Sequence, residues 1–176
     1  NTWERGEVGG VKIDESLLTD IAFELMVRVP EKYEQILQAQ RERITNPDRL
    51  ERFNFVAPAL SPEVEQRLAL FEMLKDANNR RPEPTVLEAV KYIHHPLRSD
   101  FSISILEQSL DLLPEIQRTG DIFFPKSWLD AVLSGHSSPE AKRLVVSWID
   151  SHSELSPNLK AKLLQSADLL FRKNRD

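Results

Sequence analysis

Two consecutive segments decide the fold: Ser138-Pro139-Glu140-Ala141-Lys142-Arg143-Leu144-Val145-Val146-Ser147-Trp148-Ile149-Asp150, then Ser156-Pro157-Asn158-Leu159-Lys160-Ala161-Lys162-Leu163-Leu164-Gln165-Ser166-Ala167-Asp168-Leu169-Leu170. Each opens with Ser-Pro, in which the hydroxyl accepts from an orphan backbone N–H and proline fills the first helical position, where no hydrogen bond is lost. Each continues with large apolar residues three and four apart: Leu144, Val145, Trp148 and Ile149, then Leu159, Leu163, Ala167 and Leu170. That spacing puts them on one helical face. A short polar link joins the two, so the pair reads as an antiparallel helical hairpin.

The same grammar extends upstream. Ser61-Pro62 marks a third start, Thr85 with Glu88 and Ser104 with Glu107 form capping-box patterns, and Pro125 begins another helix. Helical spacing recurs in Leu17, Leu18, Ile21 and Leu25; in Tyr33, Ile36, Leu37 and Ile44; in Val64, Leu68, Phe71 and Leu74; in Leu106, Leu110 and Leu113; and in Trp128, Leu129, Val132 and Leu133. No segment alternates convincingly as a strand. Three of the five glycines, Gly6, Gly9 and Gly10, fall in the first ten residues, so 1–13 reads as an irregular lead-in. Gly120 and Gly135 sit where left-handed C-caps are expected. Residues 14–176 read as a single all-α domain of about eight or nine helices of ten to seventeen residues. Starts near 62, 85, 102, 125, 139 and 157 repeat as helix pairs every 35 to 40 residues, the rhythm of stacked hairpins of the HEAT or armadillo kind. Arg172, Lys173 and Arg175 close the last helix and suit the negative end of its dipole.

Composition narrows the function classes. With 23 Lys and Arg against 28 Asp and Glu, the net charge of −5 offers no basic face for nucleic acid. No apolar run approaches the roughly 20 residues of a membrane span. The absence of cysteine removes disulfides and thiolate chemistry and leaves the compartment open.

The four histidines are His94, His95, His136 and His152, and none belongs to a His-Glu-x-x-His zinc helix. His94-His95 precedes Pro96, where a helix ends, and the reading favoured over metal ligation is capping of that end. No Gly-x-Ser-x-Gly elbow or phosphate-binding glycine loop is present. Trp128, Trp148, Phe71, Phe123 and Phe124 could line a groove, but at this spacing they are expected in the core. Arg80, Arg81 and Arg98 fall in loops and could hold a peptide carboxylate; solvation or local pairing is the favoured expectation. No residue is assigned a catalytic, cofactor-binding or metal-binding role.

Several phrases nonetheless resemble a known family: Arg52-Phe53-Asn54-Phe55-Val56-Ala57-Pro58-Ala59-Leu60-Ser61-Pro62, Asn79-Arg80-Arg81-Pro82-Glu83-Pro84, Tyr92-Ile93-His94-His95-Pro96-Leu97-Arg98 and, most strongly, Leu112-Leu113-Pro114-Glu115-Ile116-Gln117-Arg118-Thr119-Gly120-Asp121-Ile122-Phe123-Phe124-Pro125-Lys126. Together, from about Arg49 to Phe171, they resemble the C-terminal region of bacterial zinc aminopeptidases of the aminopeptidase N family. The resemblance implies a longer parent chain with a β-rich domain and a zinc-holding catalytic domain upstream. It also implies removal of N-terminal residues from peptides, with the helical domain beside the cleft. The zinc would lie in the parent's catalytic domain, and that domain and possibly peptide substrate would be the partners. The family's zinc motif and its Gly-x-Met-Glu-Asn motif have no counterpart here, so no catalytic position carries over. The alternative is a stand-alone helical-repeat adaptor that binds a protein or peptide.

Overall fold

The computed structural model describes residues 2–174, and the protein is all-α. Arg175, counted above with the terminal basic residues, lies outside the described residues. In chain order the elements are α1 Thr2–Arg5, β1 Glu7–Val8, β2 Val11–Lys12, α2 Glu15–Arg28, α3 Tyr33–Arg43, α4 Pro47–Leu60, α5 Val64–Leu74, α6 Glu83–Ile93, α7 Ser99–Ser102, α8 Leu106–Asp111, α9 Leu113–Thr119, α10 Phe124–Leu133, α11 Pro139–Ser151 and α12 Pro157–Lys173. Short 3-10 turns cover Pro30–Lys32, Ala77–Asn79, Pro96–Arg98 and Ile103–Ile105. Among the described residues, eight α-helices run from ten to seventeen residues.

The described residues form two compact units, one up to Leu70 and one from Phe71 on, where the sequence reads as one domain from 14. The boundary falls inside α5.

In the first unit α2, α3 and α4 pack on one another. Asp14 and Asn46 start α2 and α4 by accepting from backbone N–H groups of the first turn. Phe23 of α2 stacks on Phe53 of α4 with centroids 5.6 Å apart, beside the fully buried Met26, Val56 and Leu60. The buried row of α2 is Thr19, Ala22, Phe23, Met26 and Val27, while Leu17 is exposed. Apolar residues flank both rows of this helix, so spacing alone selects the wrong one.

The expected lead-in has local structure. Gly9 (φ 55°) and Gly10 (φ 80°) make the two-residue turn of a β1–β2 hairpin, in which Val8 opposes Val11. Trp3 is buried and donates from Nε1 to Gln40 Oε1 at 2.9 Å, Gln40 Nε2 donates to Thr19 Oγ1, and Thr19 donates to Glu15 O. Arg43 lies over the Trp3 ring, 4.6 Å from its centroid, and donates to Trp3 O and Glu4 O. Trp3→Phe keeps the ring but orphans the buried Gln40 oxygen. It is expected to destabilise the first unit by about 1–2 kcal/mol, read as a lower urea midpoint with an unchanged slope.

In the second unit α10 packs against α6, α9 and α12, α8 packs on α11, and α8–α10 and α11–α12 contacts link these groups. Trp128 of α10 and Trp148 of α11 are fully buried, each with its indole N–H satisfied: Trp128 by Ser109 O at 2.9 Å, Trp148 by Asp111 Oδ1 at 2.7 Å. Ser138 and Ser156 cap α11 and α12 as expected, accepting from Ala141 N and Leu159 N.

Three expected signals resolve differently. Thr85 lies inside α6, which begins at Glu83 after Pro82, so its hydroxyl caps nothing. Ser104 donates to Phe101 O within a 3-10 turn, and the helix expected from 102 is broken into α7, that turn and α8. Gly120 ends α9 in an extended conformation (φ −88°, ψ 175°), and α10 is started by Asp121 Oδ1 accepting from Phe123 N and Phe124 N.

Candidate functional site

The main polar cluster of the second unit is built where the end of α6 meets the end of α10. His94 stands at the C-terminus of α6 and is 1% exposed; His136 follows α10 and is 4% exposed. Gly135 allows the meeting, because a Cβ there would lie 1.6 Å from the carbonyl oxygen of His94. His94 Nδ1 is 3.0 Å from His136 Nε2, and His94 Nε2 is 3.1 Å from Ser109 Oγ.

The proton positions follow from one constraint. Ser109 Oγ lies 2.8 Å from Ile105 O, and a carbonyl only accepts, so the single hydroxyl proton is committed there. Ser109 must therefore accept from His94 Nε2–H, which leaves His94 Nδ1 as an acceptor. His136 Nε2 must carry the proton that fills it, with Ser102 Oγ at 3.5 Å as a distant second acceptor. Every donor in this series points inward, and His136 Nδ1 is left as an acceptor with no partner among the described residues. Burial pushes His136 down to about 4, and burial with the neighbouring His136 ring pushes His94 well below the ordinary histidine value. Both rings are neutral at pH 7.

This corrects the capping expectation for His94, whose side chain is a buried hydrogen-bonding member of the core. His95 does cap, but at the start of the following 3-10 turn, where Nδ1 accepts from Leu97 N. His152 stacks on Trp148 with centroids 4.1 Å apart and donates to Trp148 O. Sequence reasoning missed the His94–His136 pairing because 42 residues separate the two rings. The available signal was the glycine immediately before His136.

His136 also lines a cavity of ≈ 270 Å³ with Ser99, Asp100, Ile103, Ser137, Ser138 and Glu140. The broken α7–α8 region supplies one wall and the N-terminus of α11 the other.

A second surface is formed by two of the phrases quoted above. Residues 81–84 and 119–121 line one open groove of ≈ 690 Å³, beside a smaller one that reaches Ala77, Asn78, Arg80 and Phe124. Asp121 N donates to Glu83 Oε1, tying the two stretches together. Arg80 is 3% exposed and donates to Leu74 O at 3.1 Å and to Glu115 Oε2 at 2.6 Å, so it is locally paired. Arg80→Ala is expected to cost about 2 kcal/mol, measured as a shift of the urea midpoint, because Leu74 O loses a buried donor. Arg81 is exposed on the groove, and Arg98 is half-buried on its 3-10 turn. Of the five aromatics, Phe71, Phe124, Trp128 and Trp148 are core. Phe123 is 73% exposed, next to Ile122 at 77%. Asp121 turns the chain so that Phe124 goes in while its two predecessors stay out.

Among the described residues no three His, Asp or Glu side chains form a group able to hold a metal ion, and no helix is long and apolar enough to cross a membrane. Compared with protein-family models, curated proteins and solved structures, the chain matches none of them.

Proposed function

We propose that this chain is the non-catalytic C-terminal helical domain of a zinc-dependent aminopeptidase, packed beside the catalytic cleft and limiting which peptides reach it. The observation that carries the reading is the pair Ile122 and Phe123. It lies within the phrase that most strongly resembles aminopeptidase N relatives and stands 77% and 73% exposed. Adjacent large apolar side chains turned outward favour a surface that another domain covers. The occupant in this reading is the catalytic domain of the parent chain, which also holds the zinc.

The packed helices of the second unit support the physical role. Arranged as stacked hairpins of the HEAT or armadillo kind, they would make a stiff wall that can narrow the entrance to a neighbouring cleft. Peptides enter and folded proteins do not. This chain contributes the wall and the interface, and the parent's catalytic domain performs the hydrolysis.

The test compares the full-length parent with a form lacking this domain, over substrates from dipeptides to long unfolded chains. Loss of size selection, or loss of catalytic-domain stability, supports the reading. Unchanged size selection together with unchanged stability sinks it. Ile122→Asp combined with Phe123→Asp is expected to leave the isolated chain within about 0.5 kcal/mol of the original, as exposed positions do. In the parent, the same pair of changes lowers the thermal midpoint of the catalytic domain. A stand-alone adaptor predicts no such domain to affect.

A further inference from the structure

We propose that the cavity lined by His136, Asp100 and Glu140 is a binding site for a primary ammonium group, either on a free amine or on a lysyl side chain. The inference is independent of the peptidase reading, since it requires only the second unit.

The argument begins with the tautomer. The committed hydroxyl proton of Ser109 sets each proton in turn, through His94 to His136, so His136 Nδ1 is an acceptor by construction rather than by choice. The imidazole is 4% exposed, yet Nδ1 has no hydrogen-bond partner among the described residues and is not among the unpartnered side-chain atoms sealed from solvent. His136 lines the cavity, and a solvent-touched acceptor on it is complemented by a donor. The ligand must therefore donate.

The lining chooses among donors. Asp100 and Glu140 add two carboxylates, no Lys or Arg among the described residues lines the cavity, and the hydroxyls of Ser99 and Ser137 are further oxygen acceptors. Ser138 is already engaged with Ala141 N. A cation with several N–H donors satisfies such a set, and Ile103 offers apolar surface to a methylene stem. An anion at the α11 N-terminus would instead meet two carboxylates and a bare nitrogen lone pair. A metal ion is disfavoured because the imidazole and carboxylates do not converge as a ligand group.

The experiment uses the intact chain at pH 7 and constant ionic strength, with long-range proton–nitrogen NMR reporting the His136 ring. Without ligand, Nε2 is expected to be protonated and Nδ1 bare. Titration with butylammonium should move Nδ1 saturably, whereas n-butanol, the neutral analogue, should not. Asp100→Asn with Glu140→Gln removes two exposed first-turn charges at a small cost to their helices, and should weaken binding roughly tenfold. Nα-acetyl-lysine methylamide distinguishes the sources: saturation by it as well points to a lysyl side chain, and saturation by butylammonium alone to a free amine. No saturable shift with butylammonium, an equal response to butanol, unchanged affinity in the double variant, or saturation by Zn²⁺ in place of the amine would each overturn the proposal.

Discussion

Taking the chain from pH 7 to pH 4.5 is expected to lower the unfolding free energy of the second unit by about 2–3 kcal/mol through His136 alone. In the unfolded chain His136 titrates near its ordinary value of 6.5; in the fold, burial holds it at about 4. Between these values the unfolded state binds a proton that the folded state refuses, so stability rises with pH across that window. It is fully present above about 6.5, falls as pH drops towards 4, and the loss levels off below. His94, also pushed down, adds to the loss with the same sign. The half-buried Glu15 carboxylate, lowered by its hydrogen bonds from Thr45, adds a small loss at lower pH in the other unit. Urea unfolding followed by tryptophan fluorescence in a Trp3→Phe background reads the second unit, because the other two tryptophans, Trp128 and Trp148, both lie there. A flat unfolding free energy from pH 7 to 5 would contradict the buried neutral pair. His136→Gln should flatten the profile at some cost in stability at pH 7.

Gly135→Ala is the substitution expected to damage the fold most for the atoms it adds. One methyl group would sit 1.6 Å from the His94 carbonyl oxygen, 2.8 Å from its carbon and 3.3 Å from the carbonyl carbon of His95. These are backbone atoms, so no rotamer relieves the clash. The ends of α6 and α10 must separate, stretching the 3.0 Å bond between the two imidazoles. The expected loss is about 3 kcal/mol or more, at the upper end of overpacking costs. It should appear as a lowered thermal midpoint together with loss of the protected His136 Nε2–H signal. A change within 0.5 kcal/mol would mean that the ends of α6 and α10 pack less tightly than described. Gly135 thus permits close approach of two backbones, whereas the sequence suggests a left-handed cap; positive φ among the described residues is confined to Gly6, Gly9 and Gly10.

What the sequence conveyed follows from how local each signal is. Ser138-Pro139 and Ser156-Pro157 start helices through bonds to residues three positions ahead, so the caps and the helices they open are readable in a short window. The buried face of α2 is not, because Leu17, Leu18, Ile21 and Leu25 compete with Ala22, Phe23, Met26 and Val27, and only the packing of α3 and α4 chooses between them. The hairpin at Gly9-Gly10 was signalled by two glycines between valines, but its strands of two residues are too short for alternation to show. The histidine cluster was least legible. His94 looked like a helix-end residue and is one by position; its role depends on His136 and Ser109, which arrive from other helices. Arg80 followed the local-pairing expectation through Glu115, while Phe123 left the core that the other four aromatics joined, because Asp121 caps the helix start beside it.

The most direct test of the proposed function is the coding sequence upstream of Asn1. The account predicts one continuous reading frame that encodes a His-Glu-x-x-His helix ahead of this chain, in a protein that binds zinc and releases N-terminal residues from peptides. A frame that opens near Asn1 without that motif would contradict it, and would make a stand-alone helical adaptor the better description.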